Sequence, residues 1–224
     1  MVDYPGRIAS VVFLGGCNWR CPYCYNVDLV LPERLKLLPD IPEEEVISEL
    51  KRRKGFIKGV VLTGGEPTLW GRRLKAFLER IKYEVGLPAK MDTNGSHPEL
   101  TASLWEEGLL DYLAVDFKTA PSRYPELSAD FEPVAEILEF LKELDQRTEV
   151  RITLVPGMIS RKDLEEMVPY MKGIKRVALQ KFVSEAETLR PDFPRSSFSP
   201  DFLPAIIDYL RAHLSAEIIV RGDF

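Results

Sequence analysis

The sequence predicts an α/β fold, a partial (β/α)6 barrel of parallel strands followed by a C-terminal extension. Three observations predict it. Strand-like and helix-like stretches alternate from Ile8 onward with short connections, the order that builds parallel βαβ units with right-handed crossovers. Several strand candidates are short, nearly continuous apolar runs, as strands buried on both faces are. Polar and glycine-rich punctuation follows the strands, at the ends where such folds bind ligands. The barrel is read over about residues 8–183 and the extension over 184–224, a single domain over 1–224 without a long linker or a shift of composition.

Each element has its own justification. Ile8–Leu14 is an apolar run with β-branched residues that stops at Gly15-Gly16, a buried strand. Leu29–Asp40 carries two prolines and reads as a loop. Pro42–Lys54 reads as a helix: acids Glu43-Glu44-Glu45 open it and bases Lys51–Lys54 close it, the charge order a helix dipole favours. Gly59–Leu62 is a strand, Trp70–Val85 a helix, Ala89–Met91 a short strand and Pro98–Gly108 a helix. Tyr112–Phe117 is a strand ending at Lys118-Thr119. Glu132–Leu144 is a helix with Val134, Ile137, Leu138 and Leu141 on one face. Glu149–Val155 is a strand, Arg161–Met171 a helix and Arg176–Gln180 a strand. A loop at Pro191–Pro200 leads to a helix, Pro200–Leu214, and a final strand, Glu217–Val220. The closing Arg221-Gly222-Asp223-Phe224 reads as a frayed terminus.

Composition narrows the function classes. With 45% hydrophobic and 29% charged residues the chain is ordinary globular protein, neither collagen-like nor disordered. A net charge of -5 argues against a nucleic-acid binder, which usually shows a basic patch. No apolar run is long enough to span a bilayer, and the N-terminus has no signal-peptide pattern. No nucleic-acid or membrane partner is expected, and the expected location is cytoplasmic.

The cysteines carry the chemistry. There are three, Cys17, Cys21 and Cys24, spaced C-x3-C-x2-C directly after the first strand. An odd, tightly spaced set is a poor disulfide framework. Three thiolates on one loop can hold three corners of a cubane, whereas an ordinary [4Fe–4S] site takes four cysteines. The chain has no fourth, so one iron would stay open to an outside ligand, as catalytic metals keep a free position. Two other readings stand beside this one. Three structural cysteines at this spacing would be a coincidence. A Cys3His zinc site would need His97 or His213, the only histidines, and neither sits in a second knuckle.

This loop, with the aromatic Tyr23 just before the last cysteine, resembles the cluster motif of the radical S-adenosylmethionine superfamily. The resemblance implies a [4Fe–4S] cluster on Cys17, Cys21 and Cys24 whose open iron binds the amino and carboxylate groups of S-adenosylmethionine. It implies reductive cleavage of the sulfonium to methionine and a 5′-deoxyadenosyl radical, which abstracts a hydrogen atom.

Further segments extend the resemblance in chain order. Thr63-Gly64-Gly65-Glu66-Pro67 follows the second strand. Glycine there allows close backbone approach to a ligand. The segment is similar to the superfamily's Gly-Gly-Glu-Pro motif, which implies backbone contacts from Gly64 and Gly65 to the S-adenosylmethionine amino group and a supporting acid at Glu66. Asp92-Thr93-Asn94-Gly95 has the residues of an Asx turn. Asp116 and Lys118 share one face of a strand end and would otherwise be a surface ion pair. Both segments resemble parts of the glycyl-radical-enzyme activating group that surround S-adenosylmethionine. That likeness also implies a monovalent cation near Asp92, Thr93 and Asp116. Arg151, in Arg151–Gly157, resembles that group's Arg…Val-Pro-Gly strand end, which implies contact with the ligand's carboxylate or ribose. A histidine found near the sixth strand in pyruvate formate-lyase activating enzymes is replaced here by Gln180 and Phe182. This departure, with Asp3–Arg7 and Gly108–Tyr112, leans toward the anaerobic ribonucleoside-triphosphate reductase activating proteins.

The partners so implied are a large glycyl-radical reductase subunit and an external one-electron donor of flavodoxin or ferredoxin type. Two rival readings remain. One is a small-molecule radical enzyme on the same barrel, such as a carboxydeazaguanine synthase, which turns over without a protein partner. The other is a non-enzymatic Fe–S or zinc-binding module.

Overall fold

A computed structural model describes residues 3–183, 185–194 and 198–222. Its seven strands are β1 (Ala9–Leu14), β2 (Gly59–Gly64), β3 (Ala89–Thr93), β4 (Tyr112–Asp116), β5 (Thr148–Leu154), β6 (Arg176–Lys181) and β7 (Glu217–Arg221). They form one sheet in chain order, β1-β2-β3-β4-β5-β6-β7. Parallel pairing is seen for β1 with β2, β2 with β3, β5 with β6 and β6 with β7. Helices fill the connections, as parallel neighbours require. Two compact units emerge: Met1–Asn18, Asn26–Thr93 and His97–Ala114 make the first, and Trp19–Tyr25, Asn94–Ser96 and Val115–Phe224 make the second. The boundary falls inside β4.

In the first unit β2 and β3 are the buried centre, with Val60, Val61, Leu62 and Met91 all but sealed from solvent. Single helical turns α1 (Val27–Val30) and α2 (Pro32–Leu35) precede α3 (Glu43–Arg53). The region read as a loop therefore holds two turns. Pro32 sits at the first position of α2, where its missing N–H costs nothing. Helix α3 buries Ile47 and Leu50 and keeps its charges outside. Helix α4 spans Arg72–Arg80 and runs into a π-turn at Ile81–Val85. The stretch before it, Pro67–Trp70, is a 3₁₀ turn, so the helix starts two residues later than the sequence pattern suggests. Helix α5 covers Pro98–Glu106. Tyr4 packs on Tyr112 with ring centroids 5.8 Å apart.

In the second unit a 3₁₀ segment, Pro121–Leu127, leads to α6 (Glu132–Lys142). Val134, Ile137, Leu138 and Leu141 on α6 are fully buried, worth roughly 1.5–3 kcal/mol each. Helix α7 (Arg161–Met171) opens with a capping box: the Ser160 N–H donates to Asp163 Oδ2 at 2.8 Å. Helix α8 is Phe202–His213. Strand β7 runs one residue further than read, because Arg221 pairs in register with Gln180. Its guanidinium forms two bonds to the carboxylate of Glu149, at 2.6 and 2.7 Å. Arg221 is thus anchored rather than frayed; Asp223 and Phe224 lie outside the described residues.

Candidate active site

Strand β1 delivers the chain to the cysteine loop through Gly15 and Gly16. Trp70 Nε1 donates to the Gly15 carbonyl at 3.0 Å, and the Gly16 N–H donates to the Leu29 carbonyl at 2.8 Å. These bonds fix the start of the loop within the first unit. The segment around Cys21 and Cys24 is held within the second. Arg20 N–H donates to Leu127 O at 2.8 Å, Leu189 N–H to Cys24 O at 2.8 Å and Arg190 N–H to Pro22 O at 3.0 Å. A bond from Cys24 N–H to Cys21 O, 3.0 Å, closes a tight turn that Pro22 preorganises.

All three cysteines are reduced thiols outside any disulfide; Cys21 is buried and the other two are half-buried. Among the described residues no three His, Cys, Asp or Glu side chains are grouped to hold a single metal ion. A cubane carries one thiolate on each of several irons, so its ligands do not share an ion. Three soft donors on one loop suit an Fe–S cluster. Tyr23 adds a second sign of fit. Its ring is buried, edge-on to Phe182 at 6.4 Å and tilted against Phe193 at 6.0 Å. Its hydroxyl is buried with no hydrogen-bond partner among the described residues, an orphan of the kind a ligand satisfies. Burial first, then the neighbouring Cys21, raise this phenol well above its ordinary range and keep it protonated.

Gly64 and Gly65 lie tight against the backbone at the end of β1. A methyl group on Gly64 would stand 2.4 Å from the Leu14 carbonyl oxygen, and one on Gly65 would stand 1.9 Å from that of Gly16. Gly65 N–H donates to Leu14 O at 2.9 Å and Glu66 N–H to Gly16 O at 2.7 Å. Here the close approach is between the ends of β1 and β2, so the glycines lock the base of the cysteine loop. Asn26 Nδ2 donates to Gly64 O at 3.1 Å.

Glu66 is fully buried. Its Oε1 accepts from Thr68 N–H at 3.0 Å, Thr68 Oγ1 at 2.6 Å and Thr93 Oγ1 at 2.7 Å. His97 Nδ1 lies 2.9 Å from Thr68 Oγ1. Thr68 has one hydroxyl proton and gives it to Glu66, so Nδ1 of His97 is the donor. Glu66 therefore ties β2, the 3₁₀ turn and β3 together. Thr68 and His97 are additions that sequence reasoning missed.

Asp92 and Thr93 belong to β3 rather than to a turn. The Asx turn falls on Asn94, whose Oδ1 accepts the Ser96 N–H at 2.9 Å. Asp92 is paired with Lys90, a fully buried lysine that the sequence reading passed over. The available signal was a charge inside an otherwise apolar strand.

In the second unit Asp116, Lys118 and Arg151 come together. Lys118 Nζ is 3.0 Å from Asp116 Oδ2 and Arg151 Nε is 2.7 Å from Oδ1. The three side chains are only 12–21% exposed, so this is no surface pair. Burial alone would raise the Asp116 carboxyl, but Arg151 and Lys118 outweigh it and hold it well below the ordinary carboxylate range. Burial would lower Lys118; Asp116, then Tyr23 and Cys21, reverse that and raise it well above its usual value. The trio carries two positive charges against one negative. Gln180 stands half-buried on β6, in register with Thr153 of β5, and no hydrogen bond joins it to the trio among the described residues.

The sequence profile of the Radical SAM superfamily matches residues 11–169. The chain belongs to this superfamily. Radical SAM enzymes use a [4Fe–4S] cluster and S-adenosylmethionine. This radical SAM chain is 33% identical over 190 residues to a provisionally named glycyl-radical enzyme activating enzyme of Methanocaldococcus jannaschii, covering 81% of this chain and 75% of that protein. It is 26% identical over 195 residues to the 7-carboxy-7-deazaguanine synthase of Thermococcus kodakarensis, covering 78% and 74%. The fold is similar to that of Streptococcus suis SuiB bound to S-adenosylmethionine, with a TM-score of 0.72 at 14% identity over 98% of this chain. The chain spans about half (51%) of that structure. No described helix of this radical SAM chain is long and apolar enough to cross a membrane.

Proposed function

We propose that the chain is a glycyl-radical-enzyme activase whose partner is the large subunit of an anaerobic ribonucleotide reductase. The observation that carries this reading is the set of three cysteines in C-x3-C-x2-C spacing, none in a disulfide, in a chain with no fourth cysteine. The 33% identical activating enzyme supports the activase class. Gln180 and Phe182, in the stretch near which pyruvate formate-lyase activating enzymes carry a histidine, support the reductase branch.

Cys17, Cys21 and Cys24 hold the cluster in this reading. When bound, it supplies the electron that splits S-adenosylmethionine into methionine and a 5′-deoxyadenosyl radical. The chain's own residues bind, orient and shield. Lys118 and Arg151, one charge in excess over Asp116, attract the carboxylate of the methionine moiety, Arg151 through charge-assisted bonds. Tyr23 presents its protonated hydroxyl beside the cysteines as a donor. The Gly64–Glu66 segment holds the loop at fixed distance from β1 and β2, and placement of this kind supplies much of the rate. The glycine-bearing loop of the partner completes the cover that keeps water from the radical.

Anaerobic reconstitution with iron and sulfide, reduction and assay for 5′-deoxyadenosine test the chemistry. Product at about four irons per chain is the expected result; one tightly held zinc and no product overturns the reading. Electron paramagnetic resonance with the candidate reductase then tests the partner: a glycyl signal on the reductase is expected. The similarity to 7-carboxy-7-deazaguanine synthase supports a second reading, a small-molecule radical enzyme. That enzyme would turn over its substrate with no protein partner present.

A further inference from the structure

Lys90 is among the largest fully buried side chains of the protein, and neither the cluster nor the radical chemistry uses it. It sits on β3, every residue of which is buried. Lys90 and Asp92 are two residues apart, so strand alternation puts them on one face, and Lys90 Nζ is paired with Asp92 Oδ1. The ammonium also lies 5.9 Å from the centre of the Tyr112 ring, a cation–π distance. Tyr112 in turn packs on Tyr4. An ammonium sealed from water costs several kcal/mol unless it is paired. A buried carboxylate at the end of β3 has the same need with opposite sign. The chain supplies Asp92 with a positive partner on its own strand.

We propose that Lys90 is a tethered counter-cation: its ammonium fills the place beside Asp92 that a free monovalent ion would otherwise take, so the strand end needs neither Na⁺ nor K⁺. Lys90 is a positioning residue that holds the Asp92 carboxylate in line. Its four-carbon stem is packed in the same interior, so one side chain provides both charge and filling.

The test reads ion selectivity rather than activity. The full chain is unfolded thermally in tetramethylammonium, sodium and potassium chloride at equal ionic strength. The wild type should give one midpoint in all three. Lys90→Met should fall by about 10 °C in tetramethylammonium and regain most of that loss in Na⁺ or K⁺, which fit against a buried carboxylate where the bulky cation does not. A wild type stabilised selectively by Na⁺ or K⁺ overturns the proposal, as does a Lys90→Met variant indifferent to the cation. Should Lys90→Met fail to fold in every salt, the double variant Lys90→Met/Asp92→Asn decides. Recovery of a folded chain shows that unpaired charge was the fault, and continued failure shows that Lys90 acts by packing alone and overturns the proposal. None of these midpoints depends on S-adenosylmethionine cleavage, so failure of the radical reading is seen separately, in the 5′-deoxyadenosine assay.

Discussion

Asp116 shows how one carboxylate answers to its surroundings. Two cations hold its folded pKa below the ordinary value. The unfolded chain titrates near pH 4, so Asp116 stabilises the fold above that pH and loses its effect as pH falls through the lower folded value. Lys118 runs the other way. Its folded pKa is raised, so its contribution is complete below about pH 10 and fades as pH rises through the folded value. Asp116→Asn should therefore flatten the acid limb of a urea-midpoint profile below about pH 4 and weaken S-adenosylmethionine binding with iron content unchanged. Unaltered binding would return the trio to a purely structural role. Cys21→Ala should abolish 5′-deoxyadenosine formation, because a three-thiolate cubane has no spare ligand; activity at full iron content would refute the ligand assignment. Single residues of this kind were legible where chemistry limits the choice: three thiols, and an acid and a base two positions apart on one strand face. Lys90, Thr68 and His97 were not. Lys90 left one trace, a charge inside an otherwise apolar strand, whereas Thr68 and His97 meet only on folding, 29 positions apart.

Among the elements, the strand ends hold the most information. The Gly64-Gly65 pair reads in sequence as a ligand cradle, yet its added methyl groups would strike the backbone of Leu14 and Gly16. Gly65→Ala is expected to push β2 away from the end of β1 and to reduce iron uptake as well as stability, since a contact of 1.9 Å with a backbone oxygen cannot be relieved by a rotamer change. Iron content and circular dichroism on the same sample check this; a variant with normal iron loading and an unchanged melting midpoint would show the contact to be soft. Strands and helices were legible in order and type because apolar runs, one-faced apolar spacing and end charges mark them. The 3₁₀ segments Pro67–Trp70 and Pro121–Leu127 were missed because neither carries an apolar period that marks a helix. Asp92 and Thr93 were read as turn because of their polarity, whereas Lys90 and Glu66 supply the partners that let them continue a buried strand.

For the molecule as a whole, the last strand is tied in by charge. Arg221 on β7 reaches the fully buried Glu149 on β5 with both guanidinium arms. Arg221→Met should remove both bonds from that buried carboxylate and destabilise by about 3–5 kcal/mol, measured by denaturant unfolding. Arg221→Lys should recover only part of the loss, because an ammonium cannot make the two-pronged contact. Equal stability of both variants and the wild type would mean that water reaches Glu149. The parallel α/β order of the chain was legible from alternation alone. The anchoring of its end was not, because the two partners lie 72 positions apart.

The steric demand at Gly64 and Gly65 bears on how such chains are inherited. A descendant that lost its cluster would feel no pressure to keep Cys17, Cys21 or Cys24, yet it would still need two residues without side chains where β1 and β2 meet. The glycine pair answers to architecture, whereas the cysteines answer to the chemistry proposed for them.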